Sequence, residues 1–326
     1  MHNTGMIEPS EAAAYGGAGW SPRTTSLRQE IGTLWADCGV SQEWSALKAV
    51  LLHRPGPELA GVSQPDQVQM LASLDLAKAQ EQHDSLSQAY QEHGITVYYV
   101  EVRATPPPNL MFIADLLFMT SEGVILGRPA STVRAGEERL VAEGLARLGI
   151  PILRSVRGSG TFEGADAAWL DEGTVLLATG LRTNEEGAAQ VASFLQEMGV
   201  RVIPLGLPYG AMHLMGQLRI VDRDLAIAWP GRVPYAAVEA LRARGFRVLF
   251  LPHEDEAKHG MSLNFVTVGP RQILMPGDNP RSQTFYEHAG IACYTVKVAE
   301  LAKAAGGVGC LTGILERECT ACPTAC

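Results

Sequence analysis

One local pattern recurs five times along this chain: the end of a helix, a glycine, then a short strand of branched and aromatic residues. The stretches GITVYYVE, LGIPILRS, MGVRVIPL, RGFRVLFLP and AGIACYTV carry it. They recur at a loose period of about fifty residues, and the signal lies in pattern rather than identity. The coarse unit is strand–helix–strand with breakers between, an α/β architecture. Five such units invite closure into a ring in which the central end of each unit contributes loop residues to one shared site. A doubly wound sheet would give the same helix–Gly–strand signature. No GxGxxG or GxxxxGK[ST] opens a helix, so a nucleotide site lacks sequence support.

Periodicity and breakers locate the elements. Ala46–His53 reads as a strand ended by Pro55 and Gly56, Asp66 to about His93 as one long helix, and Ile95–Val102 as a strand closed by Pro106, Pro107 and Pro108. Strands are expected at Gly123–Leu126, Thr174–Ala178, Val200–Pro204, within Leu218–Ala228, and at Arg247–Leu251, Phe265–Val268, Gln272–Met275 and Ala292–Val296. Helices are expected at Ala135–Leu148, Glu185–Met198, Tyr235–Arg244 and Gln283–Ala289. No linker interrupts the middle. The chain divides into an N-terminal arm over residues 1–40, partly flexible, a single domain over 41–318, and a Cys-rich tail over 319–326.

Composition narrows the partners. Of 326 residues, 46% are hydrophobic and 19% charged, enough for a sizeable core and against global disorder. A net charge of -9 argues against nucleic acid or an anionic membrane surface as a partner. No apolar run reaches the length of a membrane span, and the first residues lack a basic segment followed by an apolar one. The expected compartment is the cytoplasm, where cysteines stay mostly reduced. Cys38 and Cys293 sit among apolar neighbours and read as core residues; Cys319, Cys322 and Cys326 read as an oxidisable tail, with no further ligand nearby to complete a metal site.

Four kinds of residue could carry chemistry. Cys310 stands in AGGVGCLTG, a small-residue turn that could present a thiol nucleophile. His213 stands between methionines in MHLMG. Glu163 and Asp166 flank a small pair in TFEGADA, and Asp115 is a single charge in the apolar run NLMFIAD; buried carboxylates need partners. Arg134 and Arg182 stand at expected helix starts. Each has an ordinary packing or surface reading, but cysteine, histidine and acids fall in separate repeats, each at a strand end flanked by small residues. That is the arrangement expected when several repeats share one pocket.

These motifs, in this order, resemble the guanidine-modifying (amidinotransferase) superfamily, which includes arginine deiminases, agmatine deiminases, dimethylarginine dimethylaminohydrolases and arginine:glycine amidinotransferases. The resemblance spans roughly Ala46 to Glu318 and implies the five-bladed α/β-propeller (pentein) fold, with pseudo-fivefold ββαβ repeats around a central site. VLLHRPGPEL resembles the opening strand of arginine deiminases. NLMFIAD resembles the Asn/Asp-x-x-Phe-x-x-Asp segment and implies that Asn109 and Asp115 bind the guanidinium. RPASTVRAGEE implies Arg134, and GLRTNEEGA implies Arg182, near a substrate carboxylate. FEGAD implies Glu163 as the catalytic acid partner, MHLMG the catalytic His213, and GGVGCLTG the nucleophile Cys310. Met215 stands where deiminases carry a second guanidinium-gripping aspartate. It is expected to line the site and to favour an N-substituted guanidine.

What the resemblance implies is a cysteine-dependent hydrolase of a guanidino compound, acting through a covalent thiouronium intermediate and giving a ureido product plus ammonia or an alkylamine. An amidinotransferase is the alternative, and a non-catalytic guanidine-binding protein a third. Neither metal nor organic cofactor is required by this chemistry, the partner is a small guanidino substrate, and a homodimer is possible.

Overall fold

The computed structural model describes residues 9–318. Its strands in chain order are β1 (Leu47–Leu52), β2 (Thr96–Tyr99), β3 (Leu117–Met119), β4 (Val124–Leu126), β5 (Ile152–Ser155), β6 (Ala167–Asp171) and β7 (Thr174–Thr179). They continue as β8 (Arg201–Gly206), β9 (Leu218–Asp222), β10 (Leu225–Ala228), β11 (Arg247–Phe250), β12 (Val266–Gly269), β13 (Gln272–Pro276), β14 (Ala292–Val296) and β15 (Gly313–Arg317). The crossover helices are α1 (Leu76–Glu92), α2 (Glu137–Leu148), α3 (Glu185–Glu197), α4 (Tyr235–Arg242) and α5 (Pro280–His288).

These strands form five three-stranded sheets on one plan: β3-β4-β5, β6-β7-β8, β9-β10-β11, β12-β13-β14 and β15-β1-β2. In each, the middle strand pairs antiparallel with the first and parallel with the third. A hairpin joins the antiparallel pair in four sheets, and a helix makes each parallel crossover, as parallel pairing requires. The fifth sheet takes its antiparallel strand from the other end of the chain: β15 pairs with β1, Val50 opposite Ile314.

Burial follows the same plan. The middle strands β4 and β10 are buried throughout, and β1, β7 and β13 nearly so. The third strands are edges, with exposed rings at Tyr98, Tyr99, Phe250 and Tyr294. Branched and aromatic residues made those edges easy to read from sequence, whereas β3, β6 and β15 were not expected.

Boundaries shift where the backbone turns. The helix expected from Asp66 breaks at Gln69, whose φ is 63°, and restarts at Leu76, with Asp75 accepting a hydrogen bond from the Lys78 N–H at 3.2 Å. The helix expected from Ala135 starts at Glu137 because Gly136 is left-handed at φ 93°. The end of the N-terminal arm is docked: Ala36 N bonds Gly149 O, Gly39 pairs with Glu316, and Cys38 and Val40 are buried in the core. The cysteines at 319, 322 and 326 lie outside the described residues. Among the described residues, no helix is long and apolar enough to cross a membrane.

Candidate active site

The candidate residues share one structural position. A short helical turn precedes the first strand of four sheets: Ile113–Asp115 before β3, Gly164–Asp166 before β6, Leu214–Gly216 before β9, and Val308–Leu311 before β15. Asp115, Glu163 with Asp166, His213 and Cys310 sit in or beside these turns. All five are buried, with Glu163 and Asp166 at 0% exposure. Equivalent ends of successive repeats therefore converge, although the residues are far apart in sequence.

At the centre is a cluster of charges. His213 Nε2 lies 2.7 Å from Glu163 Oε2, and its Nδ1 lies 3.8 Å from Asp115 Oδ1. Arg134 Nη1 meets Asp115 Oδ2 at 2.6 Å and Glu163 Oε2 at 3.5 Å. Its Nε donates to Glu137 Oε2 at 2.9 Å, and Nη2 reaches the same oxygen at 2.8 Å and Phe112 O at 3.3 Å. Every N–H of this guanidinium thus has an acceptor. Arg134 was expected to read a substrate anion; the structure instead commits it to three carboxylates, because an unpaired charge is too costly at 3% exposure. Arg182 is less committed. Its Nη1 meets Glu163 Oε1 at 3.4 Å.

The surroundings set the protonation states. Burial opposes the charge on His213, but Asp115, Glu163 and Asp166 outweigh it and raise the imidazolium to about 9. Burial likewise opposes charge on Glu163, yet the His213 hydrogen bond and the nearby arginines hold it well below the usual carboxylate range. Asp166 is pushed up to about 6 by burial, against His213 and its hydrogen bonds from Thr183 Oγ1 at 2.7 Å and Leu214 N at 3.1 Å. Asp166 thereby ties the glutamate-bearing turn to the histidine-bearing one. Burial and then Asp115 push the Cys310 thiol up to about 11, so without a guest it is protonated at neutral pH.

Asn109, Asp115, Arg134, Arg182, His213 and Cys310 line one small cavity, together with Gln69, Phe112, Met212 and Ala304–Gly306. Two buried acceptors on this cavity have no hydrogen-bond partner: Asp115 Oδ1 and Asn109 Oδ1. Asn109 spends its amide N–H on Val68 O at 2.8 Å, which leaves its oxygen free. Asp115, Glu163 and His213 could in principle hold a metal ion. Here an arginine guanidinium already bridges the two carboxylates and the imidazole is held protonated, so the donor set is adapted to a delocalised organic cation.

Met215 is the exception among the expected site residues. It lies outside this cavity and lines a second one behind it, with Arg219, Thr312 and Arg317. Its sulfur lies 3.1 Å from where a Cβ on Gly309 would stand. The expectation that it contacts the guanidinium is corrected: the turn Leu214–Gly216 carries the side chain to the far side of the nucleophile turn. Sequence reasoning also missed two residues. Glu137 is the second anchor of Arg134, signalled only by its place three residues on at a helix start. Asn264 precedes β12, donates from Nδ2 to Cys310 Sγ at 2.9 Å and accepts the Cys310 N–H at 3.0 Å.

Comparison with known proteins gives the family and the fold. Residues 66–313 match the family described as N,N dimethylarginine dimethylhydrolase, eukaryotic. The N(G),N(G)-dimethylarginine dimethylaminohydrolase of Streptomyces coelicolor is 27% identical over 267 residues, covering 81% of this chain and 96% of that protein. The enzyme of the same name from Pseudomonas aeruginosa is 26% identical over 246 residues, covering 74% and 90%. A solved structure of a P. aeruginosa DDAH mutant complexed with citrulline superposes with a TM-score of 0.69 at 22% identity, covering 84% of this chain and all of that one; this is a likeness of fold. The chain belongs to the N,N-dimethylarginine dimethylhydrolase family of the guanidine-modifying superfamily, and is a hydrolase of carbon–nitrogen bonds in guanidino compounds.

Proposed function

We propose that the protein hydrolyses an N-methylated arginine, or a closely similar N-substituted guanidino acid, through a covalent intermediate on Cys310. The observation that carries this reading is the pair of unpartnered buried acceptors, Asp115 Oδ1 and Asn109 Oδ1, on the cavity that also holds Cys310 and His213. Two free acceptors on one cavity suit one edge of a planar N–H-rich cation. Phe112, Met212 and Ala304 offer apolar surface to an alkylated nitrogen. The names of the relatives support the same substrate class.

In this reading the guest cation favours ionisation of Cys310, whose proton is released to solvent because His213 already carries one. The thiolate attacks the guanidinium carbon, forming a C–S bond and a tetrahedral adduct. His213 gives its proton to the departing nitrogen as the C–N bond breaks, leaving a thiouronium and a free amine. Its Nε2 is engaged by Glu163, so Nδ1 is the nitrogen that faces the chemistry. Neutral His213 then takes a proton from water, whose oxygen attacks the same carbon. The C–S bond breaks and a ureido product leaves. Arg182 pairs with the substrate carboxylate. The five sheets close into a five-bladed propeller around this site; the pairing of β15 with β1 and the adjacency of β15 to β3, β12 to β9 and β1 to β12 support that closure.

The test is incubation of purified protein with arginine, mono- and dimethylarginine and agmatine, with mass-spectrometric detection of products and of intact protein. A ureido product plus methylamine or dimethylamine, with transient mass gain at Cys310, is expected. A new guanidino compound formed on adding an amine would instead make the protein a transferase, and no product from any guanidine would overturn the reading.

A further inference from the structure

Four of the five repeats place a reactive or charged side chain just before their first strand, and each has a role in the site described above. The remaining repeat contributes Asn264, two residues before β12. We propose that Asn264 is a positioning residue for the nucleophile: its side-chain amide fixes the direction of the Cys310 sulfur and favours its thiolate. This rests on the reading of Cys310 as the nucleophile.

The geometry leaves little freedom in this assignment. The Cys310 backbone N–H is a donor only, so the atom that meets it at 3.0 Å must be the amide oxygen, Oδ1. The amide NH₂ is then the group that faces Sγ at 2.9 Å. It offers the sulfur a donor and no acceptor, and a donor interacts more strongly with a thiolate than with a thiol. A third bond joins the same two segments: Gly309 N donates to the backbone oxygen of Asn264 at 3.0 Å.

The glycines before Cys310 acquire a reason in this contact. A Cβ on Gly309 would stand 2.9 Å from Asn264 Oδ1, and one on Gly307 would stand 3.1 Å from Asn264 Cβ. Neither glycine has a positive φ, so close approach of neighbours, Asn264 first among them, rather than an unusual backbone conformation, disfavours side chains there. The loop that carries Asn264 is itself set by a left-handed residue, Met261 at φ 53°, and by the Asn264 N–H to Met261 O bond at 2.8 Å. The charged groups that face Cys310 from other elements are Asp115, which opposes its ionisation, and Arg219 on β9, which favours it. His213 stands across the cavity. Two neutral groups also meet the sulfur, the Asn264 side-chain amide and the backbone of Gly307, and both favour the thiolate; Asn264 is the side chain of the two.

The experiment uses the full chain and follows alkylation of Cys310 by iodoacetamide across pH, with the labelled residue located by peptide mass spectrometry. Asn264→Asp should move the Cys310 titration upward and slow alkylation at neutral pH on the order of tenfold or more, since one pH unit is a factor of ten in thiolate. Asn264→Ala should move it in the same direction by less. In both, kcat should fall while KM changes little. The proposal is overturned if variants with unchanged thermal unfolding keep the wild-type titration; should Asn264→Asp not fold, Asn264→Ala decides alone. Retained turnover in Cys310→Ala would instead remove the nucleophile reading, and would do so whatever the alkylation profiles show.

Discussion

His213 and Glu163 meet through Nε2 and Oε2 at 2.7 Å, both buried, and this contact fixes which imidazole nitrogen faces the cavity. If Nδ1 is the proton donor and acceptor of the reaction, His213→Asn should lower kcat by at least about a hundredfold, within the range for loss of a general acid–base. An adduct on Cys310 should then persist in intact-protein mass spectra. Wild-type steady-state rates would remove His213 from the chemistry.

The same pairing makes a prediction about stability. His213 is raised from its ordinary 6.5 to about 9 in the folded chain. A base whose folded value is raised stabilises the fold fully below its unfolded value, and that contribution is lost as pH rises through the folded one. The stability difference between wild type and His213→Asn should therefore be largest below about pH 6.5 and shrink by about 1.4 kcal/mol per pH unit up to about 9. Urea unfolding across this range measures it; a difference that does not vary with pH would mean that folding does not raise the imidazole.

Cys310→Ala should abolish turnover and leave thermal unfolding unchanged or slightly raised, because a buried thiol raised to about 11 contributes no folded-state charge at neutral pH. In the free protein, alkylation of Cys310 should rise about tenfold per pH unit toward 11, and a bound guanidinium that is not turned over should shift that rise to lower pH. Activity above a few per cent in the variant would contradict the nucleophile assignment.

The two arginines should separate by experiment. Arg134→Met leaves buried Glu137 without a cation and takes one of their cations from Asp115 and Glu163, and should cost about 3–5 kcal/mol of stability, read by urea unfolding. Arg182→Ala removes a single 3.4 Å contact, so stability should change little. Instead KM for a carboxylate-bearing guanidine should rise roughly tenfold or more, as for loss of a charged hydrogen bond, with agmatine unaffected. Equal effects of Arg182→Ala on both substrates would mean that this arginine does not read the carboxylate.

Met215→Asp provides a negative control for specificity. Because the half-buried side chain lies behind Gly309, a carboxylate there meets no substrate, and its effect should be read in urea unfolding rather than in specificity. The ratio of kcat/KM for arginine over dimethylarginine should stay constant; a shift toward arginine would place the residue in the substrate cavity after all.

Much of the fold was legible because helix–Gly–strand junctions are local. Their period, the breakers around them and the branched residues of β2, β5, β8, β11 and β14 all lie within a few positions of one another. The sharing of one pocket was legible too, since Asp115, Glu163, His213 and Cys310 fall in separate repeats and their order resembles a known superfamily. What the sequence could not decide was which way side chains point and whom they meet. Met215 follows His213 by two residues, yet a single helical turn sends it to the opposite side of the nucleophile. Arg134 reads as a free cation until Asp115 and Glu163, from two other segments, are brought onto it beside Glu137. Asn264 has no local mark at all, since an amide becomes a partner for a thiol only when two repeats some forty-six positions apart fold against each other. Propensity and pattern act over a few residues, whereas pairing of buried charges and donors is a property of the assembled interior.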